Sequence, residues 1–302
     1  MKRWLAVLLI ALGIFVLVKE CGLSLRLPSF AEPAGTPESL QGLDAGSVFL
    51  FDMTDGKVLY ERSSHQALPP ASLTKMMTEY VLLDKLAAGE IDWSDEVPVS
   101  AYAAQVPGAG MGAEEGERWT VRDLFAAMAV HSANDAAVAL AEYAAGSEKV
   151  FVKNMNEAAQ ELGLEDTVFY NATGLGQKDI AEVSPEPPGK DNRMSARDAG
   201  VLAAALIDTY PELLEVTSEL TASLKGGEVV LPTTNEMLPG GRFGFQGNDG
   251  LKTGYTTAAK YCFAGTASRE GKRLVTVVMG ASTPEARFEE TRKLLDYGFG
   301  VN

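Results

Sequence analysis

The stretch Ala71-Ser72-Leu73-Thr74-Lys75-Met76-Met77-Thr78 follows Pro69-Pro70 and opens an apolar-periodic run that ends near Ala88. Leu73, Met76, Met77, Tyr80, Leu83 and Leu86 recur near helical spacing, and Gly89 stands behind them as a stop. The predicted helix puts Ser72 at its N-terminus and Lys75 three residues on, on the same face, where an amine can reach the hydroxyl. Backbone N–H groups and the positive end of the helix dipole would surround Ser72 and suit a developing oxyanion. Alone, Ser-x-x-Lys reads more readily as a capping serine with a surface lysine, and the other clusters are needed to change that.

Working outward, 46–53 reads as a strand, Asp55-Gly56 as a turn and 57–62 as the returning strand of a hairpin. Downstream the pattern turns helical: 121–130, a helix after Ser132 to about Ala145, one capped by Ser147 reaching Leu162, and one capped by Ser195 over 196–209, with a short one after Pro211. Positions 105–118 and 173–193 read as loops, and 97–100 as a short strand. From about 228 strands return, at 229–231, 249–253, 260–267 and 273–279, and 284–297 closes as a helix. Strands at both ends and helices between them predict an α/β chain of the α+β kind. One antiparallel sheet is built from both chain ends and flanked by helices, with an inserted helical lobe. The cleft between lobe and sheet is the default site.

Two further clusters lie where that cleft is expected. Ser132-Ala133-Asn134 falls between two helices, and Lys252-Thr253-Gly254 falls on a strand, where glycine permits close approach by a substrate backbone. With Ser72 and Lys75 they supply a nucleophilic hydroxyl, two amines, a relay hydroxyl and an amide, the set for acyl transfer by serine without histidine. His131 adjoins Ser132, but neighbouring side chains on one segment do not generally converge, so packing is its expected role. Gly108 to Ala113 matches GxGxxA without a leading strand or a following helix, and reads as a loop near the cleft. Asn171-Ala172-Thr173 fits a glycosylation triplet of a kind common by chance.

Composition narrows the class. The chain has 302 residues, 46% of them hydrophobic, with a formal net charge of −15. Lys2, Arg3, Lys19 and Arg26 lie at the start, so the remainder is more acidic still. Such a surface repels nucleic acid and has no electrostatic hold on anionic lipid. Cys21 and Cys262 give no disulfide framework, and two histidines without HExxH give no zinc hydrolase; no cofactor or metal is expected. Lys2-Arg3 followed by the uncharged run Trp4 to Val18 reads as a secretory signal or short anchor. As a helix it spans about 22 Å against a hydrocarbon core of about 30 Å. Cleavage and retention both stay open, and either leaves the rest of the chain extracytoplasmic, with membrane contact only through this segment. The expected organisation is a leader at 1–18, a Pro- and Gly-rich linker at 19–43 and one catalytic domain at 44–302.

Together Ala71–Thr78, His131-Ser132-Ala133-Asn134-Asp135-Ala136, Met194-Ser195-Ala196-Arg197-Asp198 and Asp249-Gly250-Leu251-Lys252-Thr253-Gly254-Tyr255-Thr256 carry a resemblance. The chain resembles the penicillin-binding, serine-type D-alanyl-D-alanine carboxypeptidases, over about 44–302. The resemblance implies a β-lactamase/transpeptidase-like fold, peptidoglycan stem peptides as substrate and β-lactam antibiotics as covalent inhibitors. It implies that Ser72 attacks the penultimate D-alanine carbonyl, Lys75 takes its proton and Ser132 relays a proton to the leaving amine. Asn134 would hold the substrate amide. Lys252 and Thr253 would bind the terminal carboxylate beside Gly254, and the N–H groups of Ser72 and Tyr255 would form the oxyanion hole. A lysine acts as base only when neutral, and Lys252 is the cation that could lower its pKa. Three rivals remain. A class A-like β-lactamase needs a water-activating glutamate, and Glu157 and Glu161 fall in an ordinary helix. A DD-transpeptidase would use an amine acceptor, and a wall-binding scaffold would keep the fold without turnover. The loop at 176–193, with Pro185, Pro187 and Pro188, looks longer than in relatives and could alter access.

Overall fold

The computed structural model describes residues 36–185 and 189–300, so the expected leader, linker positions up to 35, and Pro187 and Pro188 of the long loop lie outside the described residues. Strands β1 (Ser47–Asp52) and β2 (Lys57–Arg62) form the expected hairpin, and a 3-10 turn at Ala71–Thr74 leads into α1 (Lys75–Ala87). The middle of the chain supplies β3 (Glu96–Pro98), α2 (Ala101–Gln105), β4 (Arg118–Thr120), α3 (Val121–His131), α4 (Asn134–Ala145) and α5 (Glu148–Glu161). It continues with α6 (Gln177–Ile180), α7 (Ala196–Thr209), α8 (Leu213–Thr217), β5 (Thr221–Leu224) and β6 (Val229–Pro232). The final part is β7 (Asn248–Thr256), β8 (Lys260–Arg269), β9 (Lys272–Ala281) and α9 (Ala286–Phe299).

The main sheet has the order β2-β1-β9-β8-β7, antiparallel throughout, so the first and last strands of the chain lie side by side. All six residues of β1 are buried because both faces are covered. Val48 and Leu50 pack with Phe288, Leu294 and Leu295 of α9, while Phe49 and Phe51 face the cluster that holds Leu202 and Leu206 of α7. The lobe is centred on α4, whose residues Asn134 to Ala141 are all buried. Its alanines let neighbouring helices approach closely.

Several boundaries differ from expectation for local reasons. Ser72 is not the cap of a regular helix: it sits inside the 3-10 turn after Ala71, whose φ is +48°, and the α-helix begins only at Lys75. Leu40 and Leu43, in the stretch expected as linker, are buried in the core on the α9 side. The loop at 173–193 contains the short α6, and β4, β5 and α2 were not anticipated; each spans five residues or fewer, too short for a period to register. Among the described residues, no helix is long and apolar enough to cross a membrane and no group of His, Cys, Asp or Glu could hold a metal ion.

Candidate active site

Ser72 is half-buried at the turn, and Lys75 is wholly buried one turn below it. Lys75 Nζ lies 2.9 Å from Ser72 Oγ, 2.7 Å from Asn134 Oδ1 and 3.0 Å from the Thr173 carbonyl. An amide oxygen and a carbonyl can only accept, so they take two N–H bonds from the amine. On a neutral amine the remaining position is the lone pair, directed at the Ser72 hydroxyl. Burial holds the Lys75 pKa well below the ordinary lysine range, and the Lys252 ammonium lowers it further; Glu79 and Asp135 oppose both. A lysine arranged in this way is a base ready to take the serine proton.

Ser132 ends α3 in a left-handed conformation, φ +68°, at 6% exposure. Asn134 is engaged at both ends, with Oδ1 accepting from Lys75 and Nδ2 donating to the Pro107 carbonyl at 2.7 Å. It therefore orients the base as well as lining the site. Asp135 explains the glycine-rich segment: its carboxylate accepts from the backbone N–H groups of Met111, Gly112 and Ala113. The GxGxxA match is a loop clasped by an aspartate of this chain. His131 Nδ1 donates to the Pro232 carbonyl at 2.8 Å, a packing role as expected.

Strand β7 brings the third cluster. Lys252 is buried, its Nζ 3.3 Å from the Thr253 carbonyl, and Thr253 Oγ1 donates to Thr234 Oγ1 at 2.7 Å. Desolvation pushes the Lys252 pKa down to about 8, with Arg287 acting in the same direction and Glu79 against it. Gly254 packs against the nucleophile turn. A Cβ built there would lie 3.1 Å from the Pro70 carbonyl oxygen and 3.2 Å from the Ser72 nitrogen, so the close approach it permits is that of the protein's own nucleophile turn. Tyr255 is half-exposed and stacks on Tyr261 at 4.5 Å between ring centroids.

A fourth element carries no mark in the sequence. Asn171 Oδ1 accepts from Thr173 N, Thr173 Oγ1 and Gly174 N, folding 171–174 into a tight loop that presents the Thr173 carbonyl to Lys75. Asn192 ties this loop to the nucleophile turn, accepting from Tyr170 N and donating to Thr74 Oγ1. Gly174, at φ +86°, lies against the Ala71 carbonyl. Asn171 is 1% exposed and donates to the Leu175 carbonyl, so the glycosylation triplet is a loop staple.

Residues 34–283 match the family of D-alanyl-D-alanine carboxypeptidases, peptidase family S11. The D-alanyl-D-alanine carboxypeptidase DacF of Bacillus subtilis is 36% identical over 302 residues, covering 99% of this chain and 71% of that protein. Among solved structures, penicillin-binding protein D2 of Listeria monocytogenes in its ampicillin-bound form is 36% identical with a TM-score of 0.76, covering 86% of this chain and 99% of that one. The peptidoglycan synthesis regulatory factor PBP3 of Streptococcus pneumoniae is also 36% identical, with a TM-score of 0.80, covering 84% of this chain and 73% of that one. The match takes in the nucleophile turn, the α3–α4 junction and β7 together, and the chain belongs to the serine-type D-alanyl-D-alanine carboxypeptidases.

Proposed function

We propose that this chain removes the terminal D-alanine of peptidoglycan stem peptides through an acyl-enzyme on Ser72. The carrying observation is the buried Lys75 amine, 2.9 Å from Ser72 Oγ with its N–H groups committed elsewhere. Ser72 Oγ attacks the penultimate carbonyl as Lys75 takes its proton. The oxyanion forms between the N–H groups of Ser72 and Tyr255, a reading supported by the close approach of Gly254 to Ser72 N. Ser132 passes a proton to the departing amine, while Lys252 and Thr253 hold the terminal carboxylate. Water then releases the shortened peptide. β-Lactams enter the same path and are released slowly. The chain acts outside the cytoplasmic membrane, exported by residues 1–18; intact mass from the native host separates cleavage from retention. The 44–302 segment is the catalytic unit.

Incubation with a stem pentapeptide tests this: free D-alanine appears with the wild type and not with Ser72→Ala. Rapid penicillin hydrolysis would instead favour a β-lactamase, and Glu157, on the surface in an ion pair with Lys153, supplies no water-activating base for that reaction. Transfer of the acyl group to an added amine in preference to water would favour a transpeptidase.

A further inference from the structure

One buried acid at the site has no part in the steps above. Glu79 lies one helical turn beyond Lys75 on α1, at 1% exposure, and its Oε1 has no hydrogen-bond partner among the described residues. A carboxylate oxygen without a partner in a dry interior is costly. Two buried amines, Lys75 and Lys252, offset that cost through their field. We propose that Glu79 is a positioning residue of the reaction, the buried counter-charge that keeps Lys252 an ammonium while Lys75 cycles between neutral amine and ammonium.

The charge count gives the reason. Before attack the cluster holds neutral Lys75, cationic Lys252 and anionic Glu79. When Lys75 takes the Ser72 proton, two ammonium groups share one dry pocket. Asp135, the other anion near Lys75, already spends its charge on four backbone N–H groups, and Arg287, from α9, adds a further cation acting on Lys252. With the substrate carboxylate set against Lys252 from outside, Glu79 is the protein's own anion left to balance the second positive charge from within. Burial raises its own pKa while Lys252 and Lys75 pull it down, and the balance stands at about 7, so Glu79 and Lys252 answer to each other's charge. A solvated helix position would need none of this.

The inference rests on the acyl-serine reading, and the pH dependence of acylation separates the two. The full chain is reacted with a chromogenic cephalosporin in single turnover from acid to alkaline pH, beside Glu79→Gln and Glu79→Asp, with thermal melts of each. Without the carboxylate both lysines hold protons less tightly, so both limbs of the bell move to lower pH. The expected acidward shift is about one unit or more for Glu79→Gln. Glu79→Asp, which keeps the charge at shorter reach, shifts the same way by less. Limbs that stay in place while the rate falls evenly at every pH would reduce Glu79 to packing and overturn the proposal. Should Glu79→Gln not fold, the Glu79→Asp profile decides, and an unmoved alkaline limb overturns it. A wild type that is never acylated would sink the acyl-serine reading instead.

Discussion

Replacing Gly174 by alanine should disable the site without touching any residue of the three motifs. A Cβ at 174 would stand 1.8 Å from the Ala71 carbonyl oxygen and 2.4 Å from its carbon, where ordinary contact begins near 3.4 Å. The loop and the nucleophile turn must therefore part by roughly 1.5 Å, since backbone on both sides cannot rotate away. The Lys75–Thr173 bond, now 3.0 Å, would open, and with it the arrangement that leaves the lone pair facing Ser72. A displacement of about 1 Å at a reacting group costs about 100-fold in rate. The φ of +86° adds strain for any side chain, so stability should fall by about 2–4 kcal/mol in all. Stopped-flow acylation by a fluorescent penicillin, read beside a thermal melt, measures both. A folded Gly174→Ala protein that acylates at the wild-type rate would refute the claim that the 171–174 loop positions the base.

Lys75→Met removes the proton acceptor while keeping bulk, and acylation should fall by about 100- to 10,000-fold at neutral pH in the same assay. With the wild type, kcat/KM for D-alanine release should hold while Lys252 is cationic and decline as pH rises through about 8. The acid limb should lie well below the ordinary lysine range, because activity needs Lys75 neutral and its pKa is depressed. Lys252→Gln should raise KM more than it lowers kcat and flatten the alkaline limb. Asp135→Asn weakens the clasp on 111–113 and should lower stability by about 1–3 kcal/mol in a denaturant titration.

The sequence exposed those parts of the site that are side chains at short spacing or in marked clusters. Ser72 and Lys75 are three apart, and the same helix face brings them to 2.9 Å. The sheet was readable because β1, β8 and β9 carry apolar stretches at the two ends of the chain, and one sheet joins them, with β1 paired to β9. Thr173 was missed because it serves through a carbonyl, which no residue type announces. Asn192 acts through hydrogen bonds to distant backbone and to Thr74, again without a local pattern. Glu79 sits among polar and apolar residues of α1 as any surface acid would, and only the fold reveals that it is buried within the field of Lys252 on β7. Gly254 was read for its effect on substrate, and its neighbour in the fold is the Ser72 turn.

Everything turns on which hydroxyl becomes the ester. Trapping the protein with penicillin, digesting it and sequencing the labelled peptide by mass spectrometry answers that directly. The adduct is predicted on Ser72, and absent from Ser72→Ala. An adduct on Ser132, or labelling that survives loss of the Ser72 hydroxyl, would contradict the account.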